Sequence, residues 1–194
     1  MASSVSPLIL ALDLARVTGW AYGRAGEVPR CGSKELATAG SGNGTVGRGL
    51  LRWMTGFLAI SPVEAIYVEA PRDPRHMGNK TTLLTARQLI GLCFLADTVA
   101  EASGIYRVRE ADVQDVREVF LGQRRPPDGK DAVQRRCRQL GWSAGDDNAA
   151  DAAALWAFGC HVEARGVPLA LGETIDIFAR PKRQKHDDIE DISI

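Results

Sequence analysis

The sequence predicts an α/β domain built on a mixed, five-stranded sheet flanked by helices. Two apolar runs carry this expectation: Leu8 to Leu12 and Ala65 to Val68 are each short enough for a buried strand, and each runs into a carboxylate, Asp13 and Glu69. The third observation is a change of rhythm along the chain. Short strand-like segments separated by glycine turns come first, and alternating strand and helix patterns follow, an order that yields a mixed sheet.

The elements follow in turn. After the first strand, Thr18 to Tyr22 and Ser33 to Ala37 complete an antiparallel meander. Gly40 to Gly49 is a Gly-, Ser- and Thr-rich loop, and Leu50, Leu51, Met54, Phe57 and Leu58 then recur at helical spacing, so a helix covers the sheet. The strand from Ala65 stops at Ala70 and Pro71. A polar loop from Arg72 to Lys80 leads into a long helical pattern from Thr81 to Ser103. Ile105 to Val108 reads as the fifth strand, Ala111 to Phe120 as a helix, Gly122 to Gly129 as a Pro-containing connection, and Asp131 to Leu140 as a basic helix.

Ala149 to Cys160 has high intrinsic helix propensity and small residues at its start, which lets the last helix pack close to the sheet. From Ala179 the chain turns from basic (Lys182, Arg183, Lys185) to acidic (Asp187, Asp188, Glu190, Asp191) without a periodic apolar face, so a disordered tail over 179–194 is expected after a domain over 1–178. No internal repeat is visible.

With 194 residues, 45% of them hydrophobic, the chain can bury a substantial core. Its 24 basic and 24 acidic residues cancel, so no global field draws it to nucleic acid, and any DNA-binding surface has to arise from local clustering. Cys31, Cys93, Cys137 and Cys160 lack the close pairs of zinc and redox motifs and are expected to be buried thiols in a reducing compartment. Ser6 to Leu12 is too short and too weakly flanked by positive charge for a signal peptide or a membrane span, so a soluble cytoplasmic protein with no membrane contact is expected.

The carboxylates carry the chemistry. An acid at the end of an apolar strand is costly unless it is solvated or binds a cation. If the first and fourth strands are neighbours, Asp13 and Glu69 meet, and like charges that close call for a metal ion. Oxygen-only ligation points to Mg2+ or Mn2+. A third contribution comes from the last helix, where Asp147 and Asp151 are four residues apart on one face, with Asn148 three before Asp151. The chemistry that uses such a set is phosphodiester hydrolysis with two metal ions ~3.5–4 Å apart. Asp146 or Asp147 equally suits a simple helix cap, and Asp13 and Glu69 a turn and a solvated edge.

The run Ile9-Leu10-Ala11-Leu12-Asp13-Leu14-Ala15-Arg16-Val17-Thr18-Gly19-Trp20 resembles the first motif of RuvC-type crossover junction endodeoxyribonucleases, particularly the shorter phage-like members. Ala65-Ile66-Tyr67-Val68-Glu69-Ala70-Pro71 is similar to their second acidic motif, and Asp147-Asn148-Ala149-Ala150-Asp151-Ala152 to their last. The resemblance runs from Leu8 to about Val162. It implies a ribonuclease H-like fold, Holliday-junction resolution by paired nicks, and metal ligation by Asp13, Glu69 and Asp151. The fourth ligand is left between Asp147 and Asn148, since the family has Asp or His where this chain has Asn148. Ala15 stands where cellular members often have glycine, and Pro71, Arg72 and Asp73 stand where they carry an aromatic residue. Homodimerisation is also implied, with the helix from Thr81 to Ser103 as the interface or as ordinary core.

Basic residues that follow the acids are candidate DNA contacts. Arg72, Arg75, His76 and Lys80 come just after Glu69, while Arg124, Arg125 and Lys130 precede the basic helix with Arg135, Arg136 and Arg138. Lys130 also resembles a functional lysine of the family, and solvated surface is the other reading of the arginines. The competing functions are a nuclease for flaps or other structured DNA, a non-catalytic junction-binding protein, and an ATP-binding protein suggested by Asp13 to Gly19, which the missing second Gly-rich phosphate turn disfavours.

Overall fold

The computed structural model describes residues 6–71 and 83–169. Three antiparallel strands open the fold, β1 (Leu8–Asp13), β2 (Val17–Arg24) and β3 (Arg30–Glu35), followed by helix α1 (Asn43–Ile60) and strand β4 (Ala65–Glu69). Helix α2 (Leu83–Ala102), strand β5 (Val108–Ala111) and helices α3 (Val113–Leu121), α4 (Gly129–Gln139) and α5 (Asp147–Glu163) complete it. The sheet order is β3-β2-β1-β4-β5, with β4 parallel to both β1 and β5. β1 is therefore central, which is why its run is apolar on both faces.

The pleat divides the core in two. Ile9, Ala11, Ala65 and Tyr67 face α5, which α3 and α4 support from outside, while Leu10, Leu12, Ile66 and Val68 face the layer of α1 and α2. α5 buries Ala149, Ala150, Ala152, Ala153, Ala154 and Ala157 between the sheet on one side and α3 and α4 on the other. A Cβ added at Gly159 would lie 2.9 Å from the Tyr67 ring, so the last helix sits as close to the sheet as its small residues allow. Its far end is tied down by Glu163, which accepts from Tyr67 Oη at 2.9 Å and pairs with Arg107 and Arg109 at 3.2 and 3.3 Å.

The element boundaries differ from the sequence expectation most at α1, which begins at Asn43, so that most of the segment read as a loop, Gly40 to Gly49, is helix with Val46 buried on it, and at three further places. The third strand begins at Arg30 and ends at Glu35, because pairing with β2 over Val17–Tyr22 sets its extent while its own residues are mostly polar. The fifth strand is Val108–Ala111, since Ile105 closes the end of α2 through its backbone bond to Ala100 and Tyr106 is exposed. Ala111 belongs to that strand, and the following helix starts at Val113, capped by Asp112 accepting from Gln114 N at 2.7 Å. The proposed tail, 179–194, lies outside the described residues.

Cys137 and Cys160 are buried, as expected, whereas Cys31 and Cys93 are only partly so. By length and composition alone α2 is apolar enough to cross a membrane, and 33% of that stretch is buried in the fold. Leu83, Leu84, Ile90 and Phe94 are exposed on it, Phe94 by 74%.

Candidate active site

Asp13 and Glu69 arrive together by register. Leu12 pairs with Val68 in the parallel β1–β4 ladder, so the next residue on each strand is an acid. Both acids continue the alternation set by Ile9, Ala11, Ala65 and Tyr67, which places them on the α5 face at the C-terminal ends of neighbouring strands. Asp13 is half-buried and its carboxyl is pushed up to about 7, first by burial and then by the negative charges of Glu69 and Asp151, against an opposing pull from Lys130. Glu69 and Asp151, expected from separate motifs, thus both act on Asp13.

Asp151 comes from the second turn of α5. Burial raises its carboxyl, Lys130 and Arg117 draw it back down, and Asp147 raises it further. The first turn of α5 is positioned by two contacts. Asp146 is the N-cap: its Oδ1 accepts from Ala149 N at 2.9 Å and from Ser33 Oγ of β3 at 2.6 Å, and these bonds hold its carboxyl below the usual range. Gly19, which is paired with Asp13 across β1–β2, leaves room for the Asn148 carbonyl; a Cβ there would lie 1.9 Å from that oxygen.

Asp146, not Asp147, therefore provides the cap. Asp147 also departs from the expectation that it turns toward the sheet with Asn148 and Asp151. It is exposed and held by α4, accepting a hydrogen bond from Gln134 Nε2 and lying 3.6 Å from Lys130 Nζ. Lys130 is thereby placed among the acids, where its charge reaches Asp13 and Asp151.

The other basic candidates separate. Arg124 is engaged by Asp115 and Glu118 at 2.6 and 2.7 Å, Arg125 donates to Gln114 at 3.1 Å, and Arg135 pairs with Asp128 at 2.5 Å. Arg72, Arg75, His76 and Lys80 lie outside the described residues. Sequence reading missed Arg117, a half-buried arginine of α3 whose guanidinium lies against Gly129, about 3.3 Å from where a Cβ would sit. No local pattern marks it, because only the packing of α3 on α5 brings it near Asp151. Ser33, Gly19 and Gln134 were missed for the same reason.

Among the described residues, no three Asp, Glu, His or Cys side chains converge closely enough to enclose an ion as they stand. The donor chemistry nonetheless fits a hard dication. The gathered donors are carboxylate oxygens, and their mutual repulsion at Asp13 is what a divalent charge relieves.

A five-stranded mixed sheet in this order, with helices on both faces and acids at the ends of the first and fourth strands, makes this an α/β protein of ribonuclease H-like fold. No protein-family model matches the chain, and no curated protein matches it in sequence. Solved structures do match. The structure of Thermus thermophilus RuvC is similar with a TM-score of 0.64 at 13% identity, over 80% of this chain and 95% of that one. T. thermophilus RuvC in complex with a Holliday junction substrate gives 0.62 at 15% identity, over 81% and 93%. The yeast mitochondrial Holliday junction resolvase Ydc2 gives 0.47 at 14% identity, over 81% and 80%. The fold is that of RuvC.

Proposed function

We propose that this protein is a metal-dependent endonuclease that cuts branched DNA, four-way junctions foremost, by phosphodiester hydrolysis. The observation that carries the reading is that Asp13 and Glu69 end neighbouring strands on the face covered by α5, and that burial, Glu69 and Asp151 together raise Asp13 to about 7. Likeness to the RuvC fold, seen in one case with a Holliday junction substrate, supports the choice of substrate.

Asp13, Glu69 and Asp151 would hold Mg2+ or Mn2+, two ions per site, with the fourth donor from Asp147 or Asn148. When bound, such ions activate the attacking water and stabilise the leaving oxygen. Lys130 and Arg117 offer fixed positive charge beside the acids, suited to a phosphate flanking the scissile bond. Asp147, engaged by Lys130 and Gln134, fixes the Lys130 side chain in the metal-free protein and is released to ligate only if that pair opens.

The test is cleavage of a synthetic four-way junction with Mg2+, Mn2+ or chelator, set beside flap, linear duplex and hybrid substrates. Metal-dependent paired nicks in the junction are expected, with Asp13→Asn reducing the rate by on the order of 10²–10³. Equal cutting of linear duplex would sink the junction assignment, and tight junction binding without cleavage under any metal would leave a binding protein.

Two copies acting on one junction would account for symmetric cuts, and the exposed Leu83, Leu84, Ile90 and Phe94 of α2 give them a face to share. Phe94→Glu is expected to shift a dimer to monomer in sedimentation and to uncouple the two nicks. A wild type that sediments as a monomer at micromolar concentration refutes the dimer.

A further inference from the structure

We propose that the groove between β3 and α1 is a second DNA track, which carries the backbone of an arm leading away from the cut on the side opposite Lys130. This rests on the nuclease reading of the site and extends it to a surface that reading does not use.

The groove encloses about 620 Å³ and is lined by Lys34, Arg48, Arg52 and Trp53 among others. Lys34 pairs with Thr18, the neighbour of Gly19, which in turn pairs with Asp13. The groove therefore opens at the same end of the sheet as the acids, two strand spacings or ~10 Å along the sheet and on its other face, since Lys34 alternates with Leu36 of the α1 and α2 layer. Arg48 and Arg52 sit one turn apart on α1, ~6 Å along its axis, a spacing suited to successive phosphates of one strand.

The positive charge along this groove is uncompensated. Arg16, Arg24, Arg107, Arg109, Arg124 and Arg135 each pair with a carboxylate, whereas Lys34, Arg48 and Arg52 are exposed and have no ion-pair partner among the described residues. The one acid in the lining, Glu35, is held by Arg16 at 2.7 Å, which cancels its repulsion toward a phosphate. In a chain of zero net charge, three uncompensated cations along one groove, at the acidic end of the sheet but on its other face, form the kind of local basic surface that DNA binding requires.

The experiment is anisotropy titration of a labelled four-way junction with the full chain over a salt series, with Ca2+ in place of Mg2+. The double variant Arg48→Gln/Arg52→Gln is compared with wild type, with Arg48→Lys/Arg52→Lys, and with Arg165→Gln as a control at the other end of the sheet. Loss of two phosphate contacts is expected to weaken binding about tenfold at low salt and to flatten the log K against log salt slope by about 1.8. The lysine variant is expected to restore the slope, and Arg165→Gln to leave it unchanged. Tight wild-type binding with the same slope in the glutamine variant overturns the track while leaving the nuclease reading intact. Tighter binding by the glutamine variant also overturns it, by showing that the groove holds an acidic segment of the chain instead. A wild type that binds no branched DNA overturns both.

Discussion

The two faces of the sheet are covered by unlike helices, and the contrast shows where this fold spends its precision. On one face α5 presses Gly159 against the strands and buries six alanines between the sheet and α3 and α4, so its backbone lies close and its N-terminus is fixed against Gly19 and Ser33. On the other, α2 keeps Leu83, Leu84, Ile90 and Phe94 exposed while burying Leu92, Ala96, Val99 and Ala100. A close, small-residue contact tolerates no added volume, whereas a helix with large side chains has slack. The first suits a helix that delivers an acid to a fixed point, the second a helix that leaves a surface for a partner.

Gly19→Ala attacks the close face directly and has the largest expected effect. The added methyl meets the Asn148 carbonyl, so the first turn of α5 has to move. A loss of ~1–3 kcal/mol in thermal or urea unfolding is expected, with a fall in cleavage larger than stability alone explains. An equivalent methyl at Gly91, which meets nothing within 4 Å, is expected to leave stability unchanged or slightly improved through helix propensity. Equal losses at the two glycines would erase the contrast between the faces.

Asp13→Asn tests the cost of gathering acids on the close face. With its carboxyl near 7 when folded and 3.8 when unfolded, Asp13 keeps its proton in the folded state between those values and loses it in the unfolded state. Stability of the metal-free protein therefore falls as pH rises from about 4 to 7 and levels off above that window. At pH 8 the asparagine variant is expected to be more stable by on the order of 2 kcal/mol, ~2–4 °C in Tm per kcal/mol, and to have lost that part of the pH slope. The same Tm as wild type at pH 8 and pH 5 would mean that the acids do not strain one another.

Asp146→Ala should have the smallest effect. It removes the N-cap of α5 and its bond to Ser33, and ~1 kcal/mol of stability is expected to be lost. Ser33→Ala keeps the cap and loses only the tie to β3, so a smaller loss is expected from it. A larger loss from Ser33→Ala than from Asp146→Ala would mean that the tie, not the cap, holds the helix.

The contrast also explains what could be read in advance. β1 and β4 were legible because a central strand must be apolar on both faces, so their runs and the acids that end them stand out in the sequence. Edge strands carry no such mark: Arg30–Glu35 and Val108–Ala111 are mostly polar or exposed, and pairing with their neighbours sets their limits. The alanines of α5 announced close packing. Which acid of Asp146 and Asp147 caps the helix was open, because helical spacing puts Asp147 and Asp151 on one face but says nothing of α4, whose Lys130 and Gln134 draw Asp147 aside. Arg117 was invisible for the same reason: its approach to Asp151 depends on how α3 lies against α5.

The bond from Ser33 to Asp146 joins residues 113 positions apart, and it sets the order in which the acidic centre can be assembled. A nascent chain that has emerged only through β4 already carries Asp13 and Glu69, yet it lacks the helix that brings Asp151. The third acid joins them only when α5 closes over the sheet. Long-range closure of this kind is slow compared with helix and hairpin formation. Incomplete or partly folded chains are thereby kept from presenting the full set of acids.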